Sequence, residues 1–133
     1  MVQRRSLIFR VIYAVCLAGA AYNHWVTIFQ HGLFWDHGGF PKASDTFWTI
    51  LALLDPAVVI LLFARPNAGV AATAAIIVAD VIHNLWIEEH YFPPLLRALA
   101  DTPQVIEQIA FMIFVLATLP MAWRRLPPSA PSG

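Results

Sequence analysis

The sequence predicts an all-α integral membrane protein, a four-helix bundle whose N and C termini are both cytoplasmic. Three observations predict this class. The 133 residues are 59% hydrophobic and 12% charged, with a mean hydropathy of +0.67, which lies outside the usual composition of a soluble domain. Four apolar runs are each long enough to cross about 30 Å of hydrocarbon as a helix. Lysine and arginine are distributed unequally between the two sides of these runs.

The four transmembrane helices are predicted at residues 11–29, 46–64, 70–87 and 104–123. Ser44 and Asp45 are suited to cap the start of the second helix. A tight turn around Pro66 makes the second and third helices antiparallel neighbours. Pro93 prevents the third helix from continuing, and Pro103 suits the first turn of the fourth.

The first apolar run also has features of a cleaved signal peptide, because a basic segment precedes it and Ala18 and Ala20 form a small-x-small pattern. The run continues to Phe29, however, which is longer than a signal core and sufficient to span a bilayer. We therefore predict one transmembrane domain over residues 1–125. The Pro- and Ser-rich tail, residues 126–133, is predicted to be disordered because it holds little apolar surface.

The positive charges predict the orientation. Of eight Lys and Arg residues, only Lys42 and Arg97 fall on one side of the four helices, and the other six fall on the opposite, cytoplasmic side. The membrane would be the inner or plasma membrane of a bacterium, or the endoplasmic reticulum of a eukaryote. No basic block suggests a nucleic-acid partner. The tryptophans are predicted to form an interfacial belt near helix ends: Trp25, Trp35, Trp48, Trp86 and Trp123.

Ionisable side chains interrupt the apolar runs, and they are the candidate catalytic residues. His24, Asp55, Asp80, His83 and Glu107 each lie within a predicted span. Charge in lipid is costly, so such residues usually face the bundle interior, pair with one another and mark a function. We predict that these five side chains converge on one polar pocket that opens outward.

Amide and carboxylate side chains are predicted to line this pocket: Asn23, Asn84, Glu88 and Gln108. On the third helix, Asp80, His83, Asn84 and Glu88 follow a spacing of i, i+3, i+4 and i+8, which places them on one face. For Asn23 and Gln108 the alternative is a plain hydrogen bond between helices. The alanine-rich opposite face of the third helix is a candidate contact for a homo-oligomer.

Several short segments are similar to those of a known family. They are His24 in the first helix, residues 78–82 leading to Glu88, Glu89 and His90 in the third, and Phe111-Met112 followed by Leu119-Pro120 in the last. These segments resemble the EXPERA family, which comprises emopamil-binding-protein sterol isomerases and the sigma-2 receptor group. In that family a helix bundle encloses a pocket for a lipophilic, often cationic molecule.

The resemblance implies that His24 is a pocket histidine and that Asp55 is the acidic residue of the second helix. Ile28, Ile113 and Leu116 stand where the isomerases carry glutamate, asparagine and tryptophan. The resemblance therefore implies a shared architecture and a pocket, and it does not imply the isomerase activity itself.

Three function classes follow from these residues. In the first, the pocket binds a lipophilic small molecule without a cofactor, as a receptor-like module or as an enzyme with isomerase-like proton transfer. His24 or His83 would carry the proton, and Asp55 and Asp80 would stabilise positive charge on the ligand.

In the second class, His24 and His83 bind haem, or a transition metal is held together with Asp80 and Glu107. In the third class, the chain is a small subunit of a proton- or cation-coupled membrane complex, in which the buried acids and histidines relay the ion. The sequence leaves open whether the protein is an enzyme.

Overall fold

The structure, a computed structural model, describes residues 1–123, which contain helices and no strand. Four helices are long and apolar enough to cross a membrane, which confirms the all-α class and agrees with the four predicted spans. They are α1 (Val2–His31), α2 (Lys42–Ala64), α3 (Pro66–Tyr91) and α5 (Pro103–Ala122), and a short helix, α4 (Leu95–Asp101), joins α3 to α5. The predicted disordered tail, residues 126–133, lies outside the described residues.

The helices extend beyond the predicted apolar runs. The 30 residues of α1 span about 45 Å at 1.5 Å per residue, well over the hydrocarbon thickness. Hydropathy locates the limits of the hydrocarbon, whereas a helix continues wherever its backbone hydrogen bonds do. The short helix α4 was not predicted, because seven residues are too few to show a periodic pattern.

The start of α2 differs from the prediction. The helix begins at Lys42 after Pro41, and its N-terminus has no side-chain cap. Ser44 and Asp45, predicted as caps, are buried in its first turn. At the start of α5, Pro103 occupies the first turn as predicted.

The four long helices form a closed ring, in which α1 and α3 each pack against both α2 and α5. Apolar side chains from all four helices fill the centre, among them Tyr13, Leu17, Leu62, Val81 and Val115. Large apolar side chains also cover the outer surface, as expected of a face in contact with lipid: Val15, Phe29, Ile60, Ile82 and Ile113.

The two ends of the bundle differ. One end carries the loop of residues 32–41 and α4, and we call it the loop end. The other carries the start of α1, the α2–α3 turn and the end of α5, and we call it the terminal end. In this turn only Arg65 separates the two helices, so α2 and α3 are tightly joined antiparallel neighbours.

Candidate functional site

Two carboxylates lie inside the bundle near the middle of α2 and α3. Asp55 is 2% exposed and Asp80 is 8% exposed, and the two are close enough for a coulombic interaction. His24 of α1 places its Nε2 atom 3.8 Å from Oδ2 of Asp55. Because charges interact strongly where water is excluded, the three side chains form one coupled group. We call His24, Asp55 and Asp80 the core acid cluster.

Asn84 links the core acid cluster to the two helices beside α3. Its amide nitrogen donates to Oδ1 of Asp80 at 2.8 Å and to Oε1 of Gln108 on α5 at 2.9 Å. Its carbonyl oxygen accepts a hydrogen bond from the indole nitrogen of Trp48 on α2 at 3.1 Å. Both donor and acceptor groups of the amide are therefore used, and they orient one oxygen of the Asp80 carboxylate.

A proline positions α1 against the cluster. Pro56 follows Asp55 and has no N–H, so the carbonyl of Ala52, four residues earlier, loses its helical donor. The indole nitrogen of Trp25 donates to this carbonyl oxygen at 2.9 Å. Trp25 is adjacent to His24, so the hydrogen bond that satisfies the freed carbonyl also fixes His24 beside Asp55.

A narrow cleft connects the cluster to the loop end. It has a volume of about 10 Å³ and is lined by His24, Thr27, Trp35, His37 and other residues of α1, α2 and the loop. Such a volume matches roughly one water molecule. His37 is close enough to His24 for an electrostatic interaction, and its Nδ1 lies 3.3 Å from the buried carboxylate of Asp45. Titratable groups thus continue from the cluster to the loop.

Histidine and tryptophan rings alternate across the loop end. His31 stacks on Trp35 with ring centroids 3.8 Å apart, and Trp48 lies 4.5 Å from His37 and 5.3 Å from His83. These contacts join the loop to α1, α2 and α3. The complete order of contacting rings is His31, Trp35, His37, Trp48, His83, Trp86 and His90.

The structure brings together some predicted site residues and separates others. Asp80, Asn84 and Glu88 all face the interior. His83 packs against Phe47, with ring centroids 4.6 Å apart, and its buried Nε2 has no hydrogen-bond partner among residues 1–123. Glu88 faces a second cavity near α4.

Two predicted site residues lie on the bundle surface, because Glu107 and Asn23 are exposed. The set predicted to bind a transition metal is not assembled. No group of three or more His, Cys, Asp or Glu side chains in the described part of the chain is arranged to hold a metal ion.

Sequence reasoning missed four residues of this region. The sequence predicts Trp25 and Trp48 as interfacial anchors, whereas their indoles donate hydrogen bonds to groups beside the cluster. His37 and Asp45 lie in and after a loop, where no periodicity shows which side chains meet. The one available signal was Pro56, which predicts a free carbonyl and hence a donor from another helix but does not identify that donor.

No family model, curated protein or solved structure matches the chain. The resemblance to the EXPERA family is neither supported nor contradicted by these comparisons and stays a prediction.

Proposed function

We propose that this multi-pass membrane protein binds a proton reversibly in the core acid cluster and acts as a proton-coupled membrane component. The single observation that carries the proposal is the pair of buried carboxylates, Asp55 and Asp80, with the His24 imidazole 3.8 Å from one of them. Two carboxyl groups and one imidazole reach zero net charge only when they hold two protons. A net charge inside the membrane has a high free-energy cost. Gain or loss of a proton therefore changes the electrostatic energy of the cluster.

Access from one side supports this proposal. The cleft beside His24 leads toward the loop end, where His37 and Asp45 continue the line of titratable groups. Toward the terminal end the cluster is followed by apolar core residues such as Val58 and Leu62. The guanidinium of Arg10 is buried beyond them, and a buried positive charge opposes the passage of protons and cations. We infer that protons reach the cluster from the loop end only. A single chain then has no continuous proton pathway across the membrane.

Infrared difference spectroscopy tests the proposal. Acidification of the protein in liposomes should produce the C=O band of a protonated carboxyl group, and Asp55→Asn and Asp80→Asn should each reduce this band strongly. Glu107→Gln is the matched control, since Glu107 is also a carboxylate on a membrane helix but is exposed outside the cluster. A band that stays unchanged in both aspartate variants would contradict proton binding by the cluster.

A lipophilic ligand, which the sequence also predicts, is the second candidate. The cleft at the cluster has a volume of about 10 Å³, far below the roughly 300–1,000 Å³ of small-molecule sites, so we favour the proton as occupant of the core. Isomerase-like proton transfer would need the helices to separate around the cluster.

Mass spectrometry and absorption spectroscopy of co-purifying compounds separate the remaining classes. A retained lipophilic molecule would support the first predicted class over a proton-coupled component. A Soret band would support haem bound by His24 or His83, and stoichiometric metal would support a metal site. The purified protein is expected to contain none of these if it binds only protons.

A further inference from the structure

A second cavity, of about 360 Å³, lies at the loop end of the bundle. The end of α3, the connection to α4 and one face of α4 form its walls, and its lining residues are Glu88, Phe92, Pro93, Arg97, Asp101 and Thr102. Its volume falls within the range of about 300–1,000 Å³ that is typical of small-molecule sites. The core acid cluster contributes no side chain to it.

Glu88 is the residue that makes this cavity a candidate binding site. Its side chain lines the cavity although the residue is only 7% exposed. Among residues 1–123 the Glu88 carboxylate has no hydrogen-bond or ion-pair partner. The only buried side-chain polar atom without a partner in the described residues is Nε2 of His83, so the unpaired Glu88 oxygens open onto the cavity, where a cationic group would pair with them directly.

The other charges of the cavity leave the Glu88 charge uncompensated. Arg97 and Asp101 are both exposed, and they are four residues apart on α4, where opposite charges are neighbours on one helix face. No ion pair joins the two in the described residues, but their formal charges sum to zero. The net charge of the three side chains is therefore that of one carboxylate, which favours a monovalent cation.

The remaining walls favour an organic cation over a metal ion. Phe92 and Pro93 contribute apolar surface, and no group of three or more metal-binding side chains is present in the described residues. We propose that this cavity binds an organic ammonium ion, an amphipathic amine whose cationic group lies at Glu88 and whose apolar part lies on Phe92 and Pro93.

The position of the cavity suits a ligand that partitions into the membrane surface. Tyr91, Phe92 and Leu96 are exposed apolar or aromatic side chains around the end of α3 and the start of α4, where aromatic residues anchor a helix at the lipid–water boundary. Amphipathic amines concentrate at this boundary, with the charged group in the headgroup region. The site would therefore be filled from the membrane surface.

Fluorescence polarisation of dansylcadaverine, a primary amine with an aromatic body, tests the proposal on the full chain in phosphatidylglycerol nanodiscs, whose lipid carries no ammonium group. Wild-type protein should bind the probe saturably above the level of empty discs. Glu88→Gln should weaken binding by about tenfold or more, because the charge pair is lost. Glu89→Gln is the matched control, since Glu89 is exposed and does not line the cavity, and it should bind as the wild type does.

Arg97→Gln gives a second test that does not depend on replacing a buried residue. Removal of this exposed positive charge makes the cavity more negative and should tighten dansylcadaverine binding. Dansyl amide, which lacks the amine, should not bind. Equal affinity in Glu88→Gln and wild type, equally tight binding of dansyl amide, unchanged or weaker binding in Arg97→Gln, or no saturable binding to the wild type would each overturn the proposal.

The ammonium group could belong to a free amine or to a lipid headgroup, and the lipid composition of the discs distinguishes the two. Competition by phosphatidylethanolamine would assign the site to a lipid ammonium group. Binding that is the same with and without this lipid would assign it to a free amphipathic amine.

Discussion

At the scale of single residues, two carbonyls of α2 without a helical donor determine how α1 is held. Pro56 removes the amide hydrogen that would satisfy the Ala52 carbonyl one turn earlier, and the last carbonyls of α2 have no donor because the helix ends at Ala64. Trp25 donates to the carbonyl freed by Pro56. Arg10 donates through Nη1 at 2.9 Å to the carbonyl of Leu62, which lies in the last turn of α2. Polar side chains of α1 thus complete hydrogen bonds that the helix backbone cannot make in lipid.

Trp25→Phe should destabilise the protein by about 1 kcal/mol, since hydrogen bonds between membrane helices contribute about 0.6 kcal/mol on average and up to about 1.7 kcal/mol. The phenyl ring keeps most of the apolar contact but cannot donate to the Ala52 carbonyl. Unfolding in mixed micelles measures the change. Trp123→Phe, at an exposed position just after α5, is the control and should change the stability little. Equal stability of wild type and Trp25→Phe would show that this hydrogen bond contributes nothing.

At the scale of helices, the closest approach is that of α2 and α3 beside their turn. A Cβ atom at Gly69 would lie 2.5 Å from the backbone of Leu62 and 2.7 Å from that of Leu61. Backbone atoms cannot move aside as a flexible side chain can. The absent side chain of Gly69 therefore allows the two helices to pack directly after a connection of one residue, as small residues do between membrane helices.

Gly69→Ala should force α2 and α3 apart and cost about 1–3 kcal/mol, the range typical of overpacked sites. Gly19→Ala is a matched control within another membrane helix, because no atom lies within 4 Å of a Cβ built there and alanine favours a helix over glycine. Unfolding of both variants under the same conditions gives the comparison. Equal stability of the two variants would contradict the close contact.

At the scale of the whole molecule, the polar interior is asymmetric. The cleft, the His37–Asp45 pair and the Glu88 cavity all lie at the loop end. Toward the terminal end, Tyr13 donates to, or accepts from, Thr118 at 2.7 Å inside an apolar core. The distribution of Lys and Arg predicts that the loop end faces away from the cytoplasm. Both proposed sites would then be reached from the same, non-cytoplasmic side.

Labelling of single cysteines with a membrane-impermeant maleimide checks this orientation in a Cys16→Ser background. Lys42→Cys and Arg65→Cys place the thiol at exposed positions just inside the start and just past the end of α2, so they form a matched pair. In intact cells only Lys42→Cys should react, and both should react after the membrane is opened. Labelling of Arg65→Cys alone in intact cells would reverse the orientation and place the proposed sites on the cytoplasmic side.

The sequence alone determined the all-α class, the four helices that are long and apolar enough to span a membrane, and the acidic residues within them. Hydropathy and charge are properties of each residue, so they can be read directly along the chain. It also placed Asp80, Asn84 and Glu88 on one face, since the 3.6-residue period of a helix fixes which side chains of the same helix point together. Both inferences need only neighbouring positions in the chain.

Only the tertiary structure decided which residues of different helices meet. It paired His24 with Asp55, joined Asn84 to Gln108 and left Glu107 exposed, although the sequence predicts all of them at one pocket. The rotation of each helix about its own axis decides such pairings, and it depends on packing contacts such as those of Gly69 and Trp25. Those contacts involve residues far apart in the sequence, so no local pattern along the chain contains them.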